Sequence, residues 1–269
     1  MDTKISPHAV IDPRAQLAAD VEVGPFCIVG ADVTIDSGCK LIGHVTIFGP
    51  AAIGRDNVFH PNVVIGGTPQ DRKFKGSATR VEIGNGNTFR ESVTIHRGTE
   101  KGGGVTRVGN ANFLMVNSHL GHDVSMGSNC TLANNCMVAG HVAVGDNVTM
   151  MGGVGIHHFV SIGEYAFLGG YSRIHHDVPP FVKVDGADVV RGLNAVGLAR
   201  SGFSGADIDA LEEACKRLFY KDKDKPFAAA LAEFDTQNGL NKHVVQMVEF
   251  LRRRDKGRNG RYLESKRAR

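Results

Sequence analysis

The 269-residue sequence has no Trp and only 4 Tyr, and aromatic residues make up 7% of it. Aromatic rings carry much of the packing in ordinary globular cores, so a core here must be built mainly from aliphatic side chains. The hydrophobic content of 42% excludes a chain disordered by composition. No apolar run approaches the roughly 20 residues of a membrane span. The N-terminal MDTKISPHAV lacks the apolar stretch of a secretory signal. A cytoplasmic protein without stable membrane insertion is the expectation. The 5 Cys are odd in number and include no CxxC pair, which argues against a disulfide framework and a four-Cys zinc site. Neither sign of charge predominates, the net being +3. Its distribution is uneven: 18 Lys+Arg and 13 Asp+Glu over 181–269, against 13 and 15 over 1–180. The basic end, from Arg252, Arg253 and Arg254 to Lys266, Arg267 and Arg269, reads as a solvated tail or a surface for an acidic protein. Nucleic acid is disfavoured, because no aromatic residues interleave with these cations to stack on bases.

Glycine is abundant instead, with 34 residues, about 13% against a usual level of about 7%. It does not follow the collagen period. Stepping by six from Ile5, every position through Ile65 is apolar. The pattern resumes at Ile83, Phe89 and Ile95, shifts by one residue, and runs again from Val108 to Ile174. A second register two residues earlier holds small or β-branched residues such as Val21, Cys27, Val33 and Cys39, with Asn57 as an exception. No helical period fits a strict repeat of six. Short strands broken by turns do fit, with two inward residues per strand. Three hexapeptides make one triangular coil of 18 residues, and stacked coils make three parallel sheets. Cys130 and Cys136 fall on consecutive inward positions and read as core. This is the hexapeptide pattern of left-handed parallel β-helix proteins; the handedness comes from that resemblance alone.

Two polar, Gly-rich segments interrupt the repeat, near 67–82 and 97–107. Loops that project from a rigid scaffold often carry function. After Ile174, Pro179 and Pro180 end the regular pattern. Ser204 is placed to cap a helix whose apolar face holds Ile208, Leu211, Cys215 and Leu218. Pro226 opens a second helix, and a third runs from about 241 to 254 with Val244, Val245, Val248 and Leu251 apolar. The division expected is therefore a β-helix over 1–178 and a linker with a helical cap over 179–269.

Eleven of the 12 His lie in the repeat region. Adding 18 moves one coil up the stack, about 4.8 Å. That step takes His122 to Gly140 and then to His158, and Asp123 to His141; His157 stands one coil above Ala139. Four His thus gather on one edge. A His titrates near neutrality and can take a hydroxyl proton, Asp123 can orient it, and Gly140 exposes a backbone N–H beside it. This suggests a general base next to an anion-stabilising donor. No Ser or Cys stands in a nucleophile's context, so direct transfer is favoured. Three His could also hold Zn²⁺ with one open position, as in a hydratase, or serve structure only. A non-catalytic solenoid of the ice-binding kind would need flat Thr-rich faces, which this sequence lacks.

The segments SVTIHRGT (92–99), NSHLGHD (117–123), LANNCMVAGHV (132–142), DVPPF (177–181) and GLNAVGLARSGF (192–203) resemble the UDP-N-acetylglucosamine 3-O-acyltransferase family, which opens lipid A synthesis. The likeness spans repeats, insertions and cap. It implies transfer of a long 3-hydroxyacyl group from acyl carrier protein to the sugar 3-hydroxyl, with no cofactor and no metal. It implies His122 as base, Asp123 as its support and the Gly140 N–H as oxyanion donor. By the same resemblance His96, His119, His141 and His157 position substrate, with His158 where the family often has Gln. Gln70, Asp71 and Lys73 match residues contacting the acyl and sugar groups, and Asn134 lies near the acyl arm. Asn194 and Arg200 match the nucleotide-diphosphate site, and Gly170 matches the position that measures acyl length. Val196 and Ser201 depart from the family's usual acidic residue and second Arg. A homotrimer is implied, with the acidic carrier protein docking on the basic cap. Acylation of a 3-amino sugar nucleotide would use the same base and groove.

Overall fold

The computed structural model describes residues 4–220 and 226–266. Among these residues, three sheets of 11, 9 and 8 strands form a prism, and through Arg173–Ile174 each strand pairs in parallel with the strand three further along the chain. Most strands are two residues long, as at His119–Leu120 and Met137–Val138. One residue of each such pair points in and the next points out, so a strand this short still separates core from surface. Partners stand 18 residues apart, as His119 opposite Met137 and Met137 opposite Gly155. The step lengthens to 30 across the first insertion, where Ala51 faces Val81, and to 25 across the second, where Thr94 faces His119. The insertions are shorter than the sequence suggested. Arg80–Ile83 and Val105–Val108 are strands, because Val81 and Val108 already fill inward positions.

Both apolar registers are buried, from Val21 and Val23 to Ala166 and Leu168. Cys130 and Cys136 are buried core residues, and burial pushes their thiols up to about 12 and about 11. Ile5 in the first coil is exposed, since no strand of the described residues stacks beneath it. The corners need left-handed backbone, and Asn117, Asp123, Asn135 and His141 adopt it with φ of 61°, 61°, 61° and 62°.

Asn57 is not a lapse in the inward register. With Asn87 and Asn112 it forms a buried ladder. Asn57 donates to the Gly54 and Gly84 carbonyls at 2.8 Å each, and its Oδ1 accepts from the Asn87 backbone N–H at 2.9 Å. Asn87 donates to Gly109 O, and its Oδ1 accepts from the Asn112 N–H. Asn112 repeats the pattern with Gly127 O and the Cys130 N–H.

The prism does not stop at Ile174. Val182–Asp185 joins the first sheet beside Phe167–Leu168 and turns back antiparallel as Val189–Leu193. Among the described residues five helices follow: α1 Ala195–Arg200, α2 Gly205–Phe219, α3 Phe227–Ala232, α4 Lys242–Asp255 and α5 Tyr262–Ser265. Ser204 caps α2 and Asn241 caps α4. On α4, Met247 and Phe250 are buried with Val244, Val248 and Leu251, while Val245 faces solvent, one position off the packed stripe. Phe181, Phe203 and His243 join cap to prism, the Phe203 and His243 rings lying 4.6 Å apart. Arg267 and Arg269 of the basic tail lie outside the described residues.

Candidate active site

A groove of about 970 Å³ runs up the face of the nine-stranded sheet. Gln70, His96, His119, His122, Gly140 and His157 line it. Asp71, Lys73, Asp123 and His141 line a second cleft of about 380 Å³ instead. The adjacent residues His122 and Asp123 thus stand between two concavities.

Asp123 is the anchor. Its side chain is 1% exposed. Oδ1 accepts from the Thr99 N–H at 2.7 Å, and Oδ2 accepts from the Thr99 hydroxyl at 2.6 Å. Oδ2 also meets His122 Nδ1 at 2.8 Å and His141 Nδ1 at 3.7 Å. Burial alone would raise this carboxyl, but the hydrogen bonds from His122 and Thr99 outweigh it and hold it below the ordinary carboxylate value. An ionised carboxylate only accepts, so His122 carries its hydrogen on Nδ1 and presents the Nε2 lone pair. The second insertion supplies the seal. Thr99 caps its single 3-10 turn, and a Cβ on Gly102 would fall on the Asp123 carboxylate.

Gly140 lies against His122. A Cβ there would come 2.6 Å from His122 Cε1 and 2.7 Å from Nε2, so only Gly fits beside this ring. Among the described residues no acceptor takes the Gly140 backbone N–H. The arrangement therefore offers a proton acceptor and a free main-chain donor side by side. His141 stacks on Phe159 with centroids 4.4 Å apart. His119 Nδ1 meets the Thr94 hydroxyl at 2.8 Å, and His96 packs edge-on against His119. Burial, then the neighbouring His119 and His122, pulls His96 down to about 4, and burial lowers His119 likewise. His122, Asp123 and His141 offer ligand atoms within 4.8 Å of one another, a spacing that a metal ion could share.

Not every expected residue arrives. Asn134, His158, Gly170, Asn194 and Arg200 line neither concavity of a single chain. His158 instead packs its ring on His157 at 3.8 Å. Asn134 and Gly170 stand at the groove's edge in one stacked column with Gly152, since Gly153 donates to Asn134 O and Tyr171 to Gly152 O. Asn194 caps α1, accepting from the Gly197 N–H at 3.3 Å and donating to Tyr165 O at 2.9 Å. Arg200 is exposed on the last turn of α1. Thr99 and Thr94 were not singled out from the sequence, nor were Arg173 and His175, which line the groove's upper end. The 18-residue step from His157 would have reached His175.

Residues 177–259 match the family model described as UDP N-acetylglucosamine O-acyltransferase, domain 2, and residues 106–140 match the bacterial transferase hexapeptide (six repeats). Over 256 residues the chain is 42% identical to the acyl-[acyl-carrier-protein]–UDP-N-acetylglucosamine O-acyltransferase of Thermodesulfovibrio yellowstonii, covering 94% of this chain and 98% of that one. The chain belongs to this acyltransferase family. Two solved structures of UDP-N-acetylglucosamine acyltransferases share its fold. That from Bacteroides fragilis is 35% identical with a TM-score of 0.87, over 92% of this chain and 96% of its own. That from Arabidopsis is 31% identical with a TM-score of 0.83, over 96% and 98%. Within this acyltransferase framework, Asp123, His122 and Gly140 occupy three adjacent positions on two consecutive coils.

Proposed function

We propose that this acyltransferase moves a 3-hydroxyacyl group from acyl carrier protein to the 3-hydroxyl of UDP-N-acetylglucosamine by direct attack, in lipid A synthesis. The observation that carries the reading is the His122 Nδ1 contact to a buried, ionised Asp123 with Gly140 packed on the same ring. His122 Nε2 accepts the sugar hydroxyl proton as the oxygen attacks the thioester carbon. The carbonyl electrons move onto oxygen, and the Gly140 N–H donates to the oxyanion. As the carbonyl re-forms, the C–S bond breaks, and His122 returns its proton to the departing thiolate. Asp123 keeps the imidazole in the required tautomer and stabilises its charged form. His96 and His119 stay neutral near pH 7, so they orient substrate as hydrogen-bonding groups.

A homotrimer fits Asn194 and Arg200, which stand on the cap away from their own chain's groove and would serve a neighbour's. The apolar face around Val116, Met137 and Met151 is exposed in the single chain, as a prism-to-prism contact would require. The basic cap suits docking of the acidic carrier protein in the cytoplasm. The test is acyl transfer to UDP-N-acetylglucosamine and to its 3-amino analogue, for the wild type and His122→Ala, with metal analysis of the purified protein. Ester formation that collapses in the variant supports the reading. Preference for the amino sugar would change the product to an amide. Stoichiometric zinc, lost together with activity on chelation, would replace the base mechanism with a metal one.

A further inference from the structure

Asp123 faces two imidazoles at once. Its Oδ2 lies 2.8 Å from His122 Nδ1 and 3.7 Å from His141 Nδ1, and the two rings stand edge to face with centroids 4.9 Å apart. Only the shorter distance is a hydrogen bond. Chain position alone does not say which histidine the carboxylate should serve, since Asp123 is next to one in sequence and one coil below the other.

The second insertion settles the competition. Thr99 is buried and touches the carboxylate twice, its N–H donating to Oδ1 at 2.7 Å and its hydroxyl to Oδ2 at 2.6 Å. The direction of the second bond is fixed. The Gly102 N–H points at the same hydroxyl oxygen at 3.3 Å and can only donate, while an ionised carboxylate can only accept. The hydroxyl proton therefore lies toward Oδ2. A carboxylate oxygen has about two lone-pair directions, and on Oδ2 the Thr99 hydroxyl fills one and His122 the other. Thr106, also buried, accepts from the Asp123 N–H at 2.8 Å, so the same segment holds this residue by its main chain as well. Gly98 and Gly102 let the loop close on the carboxylate: an added Cβ would come 2.8 Å from Oδ1 at Gly98 and would fall on the carboxyl carbon at Gly102. His141 has its own support, its ring lying flat on Phe159.

We propose that Thr99 is a positioning residue for acyl transfer: its hydroxyl occupies the second lone pair of Asp123 Oδ2 and so commits the carboxylate to His122 rather than to His141. This rests on His122 being the residue that takes the sugar proton. Without the hydroxyl, Oδ2 keeps an open lone pair, the carboxylate can tilt about its broad terminal torsion, and His141 competes for it. A molecule whose carboxylate turns to His141 leaves His122 free to carry its hydrogen on Nε2, the wrong atom for accepting a proton.

The experiment is steady-state transfer from 3-hydroxyacyl carrier protein to UDP-N-acetylglucosamine by the full chain. It measures kcat and both KM values for Thr99→Val and Thr99→Ser, with a thermal melt for each. Valine matches threonine in shape and keeps the N–H that binds Oδ1, so only the hydroxyl is lost. We expect kcat to fall about ten- to a hundredfold in Thr99→Val, the range for a hydrogen bond to a charged group, with both KM values within a few-fold of wild type. Thr99→Ser should restore most of the rate. The cost of Thr99→Val should shrink to a few-fold in an Asp123→Asn background, where no carboxylate remains to be allotted. It should shrink likewise in a His141→Phe background, where the ring can still stack on Phe159 but cannot donate. Near-normal kcat in Thr99→Val would overturn the proposal. So would a serine variant as slow as the valine one, which would make the effect one of packing, or a cost undiminished in either background. Wild-type-like transfer by His122→Ala would instead remove the underlying reading, whatever Thr99→Val did.

Discussion

Replacing Asp123 by Asn tests the tautomer argument without changing the size of the side chain. The amide oxygen can still accept the Thr99 N–H that Oδ1 takes now. The amide nitrogen then occupies the Oδ2 position, 2.8 Å from His122 Nδ1, and it can only donate. His122 must therefore shed its Nδ1 hydrogen and carry one on Nε2, the atom that receives the sugar proton in the proposed mechanism. A misplaced general base costs about 10² to 10⁴ in rate, and the same substitution in serine-protease carboxylate–imidazole pairs costs about 10⁴. We expect kcat to fall within that span, roughly 3–5 kcal/mol of barrier at about 1.4 kcal/mol per tenfold, with KM for both substrates within a few-fold of wild type. The assay is steady-state transfer of labelled 3-hydroxyacyl groups from carrier protein, alongside a thermal melt to show that the Thr99 contacts persist. A folded Asn variant that keeps more than a tenth of wild-type kcat would refute the reasoning.

Gly140→Ala places a methyl 2.6–2.7 Å from the His122 ring; we expect transfer to drop at least a hundredfold with the melt nearly unchanged, and a variant of near-normal rate would mean that the ring can simply move aside. His96 is held at about 4 in the fold, against 6.5 for the free side chain. The unfolded chain therefore takes up this proton first, so stability is full above about pH 6.5 and declines toward pH 4, by up to roughly 3 kcal/mol. Urea unfolding at pH 7 and pH 4.5 should show that decline in wild type and a smaller one in His96→Gln. At Gly170 an added Cβ meets nothing closer than 3.5 Å, so Gly170→Met should fold and shift donor preference toward shorter acyl chains; an unshifted chain-length profile would remove Gly170 from the acyl path. Asn87→Ala leaves the Gly109 carbonyl and the Asn112 N–H without partners, at roughly 1–3 kcal/mol each, and differential scanning calorimetry should show a Tm lower by several degrees with catalysis intact at 25 °C.

Most of the prism and the heart of the site were readable from residue spacing, for one physical reason. Every coil stacks at a constant 18-residue step, so arithmetic on the sequence is arithmetic in space. His122 beside Gly140 and Asp123 beneath His141 followed directly. Where the step breaks, spacing is silent. Thr94 reaches His119 over 25 residues, and Thr99 reaches Asp123 from a loop. Asp188 reaches His175 across a turn that follows no repeat. Helix α1 went unseen because it is six residues long and contains a Gly, and Asn194, expected at the nucleotide, caps it within its own chain. Asn57 looked like an exception to the inward register because hydrophobicity alone cannot register a buried amide that is paired with two carbonyls and with the next Asn of the ladder.

The asparagine ladder crosses both insertions, from Asn57 to Asn87 and from Asn87 to Asn112. Each rung reads the identity of the coil above it, because a coil displaced by one turn would bring an apolar corner against carbonyls that need a donor. As far as register goes, the two loops that approach His122 and Asp123 are therefore free to differ in length and sequence while the coils that bear them stay indexed. Substrate-facing variation is uncoupled from the spacing that chemistry depends on, and a register fault during folding is penalised at the two joints where the chain leaves the stack.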